Sequence, residues 1–262
     1  MKKLLSWMLV LVLMLVLAGC ASSNDKLSQI QKNKSISVYT DPNFPPFEFL
    51  GASGIEGVDI EIAKAIANDL GVKADIQEGK FDSIIMAIKG GRGDIAISGF
   101  TITDERKKNV DFSDPYINSI QYLILLSDSP IKIMEDLAGK SIGVAKGYTG
   151  SLLIEEEINE GVLINQGSTF TEYPSAMEAT LDLKNKKVDA VIMDEYVAKN
   201  ITANNTGLIT MELQYADGEI AAEEYGVVVP KGNAELLARI NSIIAKLKAE
   251  GKIQEWVVQF SE

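Results

Sequence analysis

The sequence predicts an α/β protein made of two similar units, and three observations predict it. Two pairs of segments echo each other in the same order: KSISV at 34–38 returns as KSIGV at 140–144, and FDSIIMA at 81–87 returns as YPSAMEA at 173–179. Each member of the second pair opens a helix that ends in a Lys- or Gly-rich turn and feeds a short apolar strand, DIAI at 94–97 and DAVI at 189–192. The chain of 262 residues is also long enough for two such units. Strands alternating with helices pack as sheets covered by helices, and one unit repeated in the same order gives two lobes built alike.

Taken from the start, Lys2 and Lys3 precede a Leu/Val/Met run over 4–17, followed by LAGC at 17–20. The apolar run is too short to span a bilayer and ends in small residues, so residues 1–19 are expected to be a signal peptide. Leu-Ala-Gly-Cys is also the lipobox of bacterial lipoproteins, in which the cysteine becomes the lipid-modified first residue. Cys20 is the single cysteine of the chain, so no intramolecular disulfide can form and lipidation is its natural use. Residues 20–33 are polar and poor in apolar side chains, and are expected to form a flexible lipidated tether.

The first strand, at 34–38, leads into YTDPNFPPFE at 39–48, which Pro42, Pro45 and Pro46 keep from being helical. This stiff loop holds Phe44 and Phe47 in fixed directions, with Phe47 expected in the core. Val58–Leu70 carries a helical stripe of Val58, Ile62, Ala65, Ile66 and Leu70, stopped by Gly71. The buried strand at 95–97 gives way to Ser98, Gly99 and Thr101, small residues with free backbone N–H donors at the strand's carboxyl end. In open α/β sheets ligands sit at that edge. Thr103 is a good N-cap, Asp104 and Glu105 suit a first turn, and Arg106 falls at the third helical position. A guanidinium there can reach back over the strand end and take a carboxylate bidentately, although an isolated ERKK run also reads as a solvated charged face.

An apolar strand at 120–126 follows the Asp-Pro-Tyr turn. In the second unit, KGYTGS at 146–151 leaves a strand and opens a helix expected over 151–158. Its N–H groups favour an anion, but no Gly-Lys-Ser/Thr follows, so a nucleotide site is excluded. Asp194 ends the strand at 191–193, where it suits either an ammonium group or the cap of the next helix. A strand at 225–229, an amphipathic helix at 234–248 and a short helix at 252–260 complete the chain.

The whole sequence carries a net charge of −12, and without residues 1–19 it holds 23 basic against 37 acidic side chains, a net of −14. Nucleic acid is an unsuitable partner at that balance. The sequence has no histidine, and with Cys20 lipidated there is no metal site of the zinc type, no Ser-His-Asp triad and no Cys-His dyad.

The segment ISGFTITDERKKNVDFSDPY at 97–116 resembles, almost letter for letter, the signature of bacterial extracellular solute-binding proteins of family 3, the amino-acid receptors of ABC importers. The resemblance extends over nearly all of the mature chain. It implies a two-lobed, periplasmic-binding-protein-like fold of type II, each lobe a mostly parallel sheet flanked by helices, with a two-strand hinge. Residues 34–117 and 225–262 then form lobe 1, 118–121 the hinge and 122–224 lobe 2.

The resemblance also implies roles. Arg106 clamps the ligand's α-carboxylate, Thr149 and Gly150 add hydrogen bonds to it, and Asp194 takes the α-amine. Ser98, Gly99 and Thr101 complete the head-group site. Phe44 and Phe81 cover two faces of the ligand side chain, and Asp41 contacts a polar side chain unless it only caps its turn. Tyr148 is larger than the residue relatives often carry there, which narrows the pocket.

The implied function is an extracytoplasmic receptor, anchored through Cys20 and monomeric, without cofactor. It binds an L-amino acid, polar or cationic such as arginine, lysine or glutamine, between closing lobes and delivers it to the permease of an ABC importer. The alternative is a secreted cyclohexadienyl-dehydratase-like enzyme of the same fold, which needs a cleft carboxylic acid such as Glu195 or Glu48; nothing in the sequence marks either.

Overall fold

A computed structural model describes residues 26–261. The expected signal peptide, residues 1–19, and the expected lipidation site Cys20 lie outside the described residues. The first sheet has the order β5-β1-β6-β14-β7 and comprises β1 (Ser35–Thr40), β5 (Lys73–Glu78), β6 (Ile95–Ala96), β7 (Asp111–Phe112) and β14 (Val228–Val229). Strands β1, β5 and β6 are parallel, with Ser35 opposite Lys73 and Val38 opposite Ile95, whereas β14 returns antiparallel. In β1 the side chains of Ile36, Val38 and Thr40 are buried, the period of two expected for a strand. A small antiparallel sheet of β2 (Asn43–Phe44), β3 (Glu48–Gly51) and β4 (Gly54–Glu56) follows β1.

The second sheet has the order β10-β9-β11-β8-β12, formed by β8 (Ile117–Leu126), β9 (Ser141–Ala145), β10 (Thr169–Tyr173), β11 (Ala190–Asp194) and β12 (Leu208–Glu212). Strand β8 enters it between β11 and β12, antiparallel to both. Its first residues pair instead with β13 (Ala222–Tyr225), Ile117 opposite Tyr225 and Ile120 opposite Ala222. Two antiparallel strands thus carry the chain between the sheets. The stretch 118–121 is the inner part of β8, continuous with the strand on either side.

Helices cover both sheets: α1 (Lys26–Asn33), α2 (Val58–Leu70), α3 (Phe81–Lys89), α4 (Asp104–Lys107), α5 (Thr149–Asn159), α6 (Ala176–Lys184), α7 (Glu195–Ala203), α8 (Ala234–Ala249) and α9 (Lys252–Ser261). Along β8, Leu123 and Leu125 join one apolar cluster with Ile142, Val144 and Ile192, while Tyr122 and Ile124 join the larger one, so both faces of this sheet are covered. Among the described residues no helix is long and apolar enough to cross a membrane.

Three expectations need correction. The end of the expected tether, Lys26–Asn33, is a helix laid on the first sheet: Ile30 is buried, and the Lys26 ammonium meets Asp94 at 2.9 Å. Ile30 and Leu27 on the inner helix face, with the Lys26 ion pair, dock a segment whose average composition is polar. The strand expected at 225–229 breaks into β13 and β14 across Gly226 and Val227, where a Cβ on Gly226 would stand 3.0 Å from the Ile102 side chain and 3.2 Å from that of Phe112, a tight contact. Helix α5 starts at Thr149, two residues before the expected start.

Candidate ligand site

The carboxyl end of β6 is built on a buried acid cluster. Ser98 Oγ donates to Glu48 Oε1 at 2.7 Å and accepts from the Asp41 amide at 3.0 Å. The Gly99 amide donates to Asp59 Oδ2 at 2.8 Å, and Tyr116 OH donates to the same oxygen at 3.0 Å. The Gly99 N–H expected to be free is therefore committed to the protein. Gly99 has φ of 53°, and a Cβ there would stand 2.4 Å from the ring of Phe44, so both backbone and space demand glycine.

Thr103 caps α4 as its sequence suggests, its hydroxyl accepting from the Arg106 amide at 3.2 Å. This short helix splits the ERKK run: Glu105, Lys107 and Lys108 are exposed, and Arg106 is buried at 8% exposure. The guanidinium lies over Phe81 and Phe100, 5.4 and 5.5 Å from their ring centres. It donates to Thr101 O at 2.8 Å and, across to the second sheet, to Gly147 O at 3.1 Å. Burial pulls its pKa down, and the charges of Glu223 and Asp194 act against that.

From the second sheet, β9 delivers Lys146, Gly147 and Tyr148 to the start of α5. Tyr148 stacks on Phe81 at 3.9 Å between ring centres and stands 5.5 Å from Phe44, so it lies between the two rings expected to flank a ligand side chain. Phe47 is in the core, as expected. Thr149 Oγ1 comes within 3.5 Å of Thr101 Oγ1. A Cβ on Gly150 would lie 2.9 Å from Ile192 and 3.0 Å from Gln121, so this glycine lets α5 approach β11 and β8 closely.

Asp194 ends β11 with 2% exposure and makes no side-chain cap to α7. Its Oδ1 accepts from Gln121 Nε2 at 2.9 Å and its Oδ2 from Tyr225 OH. Asp41 accepts from the Phe81 amide at 2.9 Å, so it caps the start of α3 from across the loop, and burial raises its pKa. It also borders a cleft of about 820 Å³ between the sheets, with Glu78, Asp82 and Glu172 as further acids and Lys80 and Lys146 as bases.

Thr101, Arg106, Thr149 and Asp194 thus come together between the sheets, with Phe44 and Phe81 around Tyr148, whereas Ser98 is turned into the acid cluster. Gln121, Glu223 and Tyr225 were not expected there. They sit on β8 and β13, and only the pairing of strands a hundred residues apart brings them to Asp194. Of the two acids the enzyme alternative needs, Glu48 is wholly buried behind Ser98, and Glu195 is held by Lys199 Nζ at 2.5 Å.

Two helix-covered sheets joined by a strand pair, with groups of opposite charge meeting between them, define a two-lobed binding protein of the type II periplasmic class. The chain belongs to the bacterial extracellular solute-binding proteins, family 3, whose family model matches residues 36–261. It is 32% identical over 233 residues to the L-cystine-binding protein TcyJ of Escherichia coli K12, covering 87% of this chain and 83% of that one. It is 31% identical over 259 residues to the arginine-binding extracellular protein ArtP of Bacillus subtilis 168, covering 97% and 96%. An ancestral arginine-binding protein bound to arginine superposes with a TM-score of 0.77 at 37% identity, covering 87% of this chain and 98% of that one.

Proposed function

We propose that this chain is an extracytoplasmic receptor that binds an L-amino acid between its two lobes and presents it to an ABC importer. The observation that carries the reading is Arg106 and Asp194 together: a buried guanidinium on α4 lies within electrostatic reach of a buried carboxyl at the end of β11, with its hydrogen bonds going to carbonyls and not to that carboxyl. Such a pair complements a zwitterion and little else. Arg106 takes the α-carboxylate, using donors beyond the two already spent on carbonyls. Thr149, Gly150, Ser98, Gly99 and Thr101 shape the space around that head group, and Asp194 takes the α-ammonium.

A cationic side chain such as that of arginine or lysine fits the rest. The cleft beyond Phe81 is bordered by four acids against two lysines, and the Phe44, Phe81 and Tyr148 rings offer cation–π contact. Tyr148 shifts from between the rings as the ligand side chain enters. Residues 34–117 with 225–262 and residues 122–224 act as the two lobes, moving about 118–121 and its partner strand. Residues 1–19 direct export and Cys20 carries the lipid. The chain works as a monomeric receptor and not as an enzyme, a reading supported by the relatives it matches, which are named as binding proteins.

A thermal-shift panel of the twenty amino acids tests this. L-Arginine and L-lysine should give the largest rises in Tm, and Arg106→Ala should abolish them, because removing one partner of a buried ionic contact costs about 3–5 kcal/mol of binding. A rise that survives in Arg106→Ala overturns the head-group assignment.

A further inference from the structure

Two carboxyl groups, not one, occupy the ammonium end of the site. Asp194 lies opposite Gln121 on β8, and Glu223 on β13 lies opposite Ser119. Ser119 and Gln121 are alternate residues of β8, and Tyr225 is alternate to Glu223 on β13, so these registers aim all five side chains to one face. All five are buried: Glu223 is 6% exposed and Gln121 1%. Glu223 lies against Asp194, Thr149 and Gln121. Its Oε2 and the Gln121 Oε1 carry no hydrogen bond.

Both Asp194 oxygens accept from Gln121 and Tyr225, and among the described residues the cation that faces the pair is Arg106. Arg106, however, spends its hydrogen bonds on the Thr101 and Gly147 carbonyls. Two adjoining carboxyl groups buried in this way cannot both ionise cheaply and hold one proton between them.

We infer that Asp194 and Glu223 form a proton-linked ammonium site, which holds one proton until a ligand's α-ammonium enters and then releases that proton to solvent. The exchange balances: R–NH₃⁺ arrives charged, the shared O–H bond breaks, the proton passes to buffer, and a carboxylate is left facing the ammonium. Burial first, and then the Asp194 charge, push the Glu223 carboxyl well above the usual range, as the exchange requires. The other titratable groups facing the pair are Arg106, Tyr148 and Tyr225. Burial and the neighbouring carboxylates hold both phenols protonated, and the guanidinium stays charged, so the carboxyl pair is where the proton is exchanged.

This inference rests on the receptor reading, and one experiment separates the two. The mature chain is titrated calorimetrically near neutral pH with L-arginine, L-lysine and L-glutamine, in phosphate and in Tris. The dependence of the heat on buffer ionisation enthalpy counts the protons. About one proton should be released per bound amino acid, and affinity should rise by up to about tenfold per pH unit while the pair remains protonated. In Glu223→Gln the count should fall to zero. A wild-type count of zero in the presence of clear binding heat overturns the inference and leaves the receptor reading standing. A count unchanged in Glu223→Gln overturns it too, since the proton then comes from elsewhere. No binding heat with any of the three overturns the receptor reading, and this inference with it.

Discussion

Glu48 with Asp59, and Asp194 with Glu223, are two buried carboxyl pairs in one protein, and their surroundings set them apart. The first stands behind the end of β6, where Ser98, Gly99 and Tyr116 all donate to it from the protein. Glu48 Oε2 and Asp59 Oδ1 find no donor, and burial together with the Asp59 charge holds the Glu48 carboxyl well above its usual range, which makes it the protonated partner. The second pair lies within electrostatic reach of Arg106. Chemistry of the same kind thus serves as a fixed brace in one place and as an exchangeable site in the other. The charge of Arg106 beside the second pair separates them, since both pairs are wrapped in low-dielectric protein.

Truncating one acid from each pair sets the two against each other most strongly. Asp59→Ala strands the Gly99 amide, the Tyr116 hydroxyl and the Glu48 carboxyl at once, and should lower unfolding free energy by about 3–5 kcal/mol in urea titrations. Asp194→Ala should abolish the amino-acid thermal shift while costing the fold only about 1–2 kcal/mol, the cost of leaving the Gln121 amide and the Tyr225 hydroxyl without their acceptor. Equal losses of stability in the two variants would erase the distinction between brace and exchangeable site.

A smaller effect should appear in the pH dependence. Burial raises the Asp59 pKa from 3.8 to about 6 and the Glu48 pKa well above its usual range. Folded-state values above the unfolded ones mean that the folded chain holds the extra protons. Stability from this pair is therefore fully present at acid pH, and it declines as pH rises from near 4 through 6 and beyond. Glu48→Gln copies the protonated Glu48 permanently. Its stability relative to wild type should climb over that window by on the order of 2 kcal/mol, and parallel profiles for the two proteins would show that Glu48 is not the proton carrier. The smallest change expected is for Lys146→Ala. It removes a solvent-exposed ion pair to Asp82, 3.2 Å across the cleft, and should alter stability by less than about 1 kcal/mol.

The difference between the pairs also marks what a sequence discloses. Arg106 is legible because its cap, Thr103, and its motif lie within a few residues of it. Helix α2 is legible because its stripe is local, down to Gly71 in the left-handed conformation at its end. Glu223 is not, since nothing within AEEY of β13 distinguishes it from Glu224; only the register against Ser119 turns one inward and leaves the other exposed. Asp194 reads locally as a helix cap, and the structure gives its oxygens to side chains from other strands instead. Helix α1 escapes composition because two apolar residues, Leu27 and Ile30, dock it, and composition averages them away.

The placement of these groups on β8 and β13 has a mechanical consequence. For any rotation of one sheet about this strand pair, atoms on the pair sweep short arcs and atoms further out sweep long ones. Lys146 and Gly147 follow β9, two strand positions from β8 and so roughly 10 Å out. Their contacts with Asp82 and Arg106 are consequently the ones a small rotation opens, while Gln121, Glu223 and Tyr225 hardly travel. On the proposed receptor reading, the acid pair would stand at the fulcrum of a lever whose jaw is closed by the Lys146–Asp82 and Gly147–Arg106 contacts, keeping its shape whether that jaw gapes or shuts.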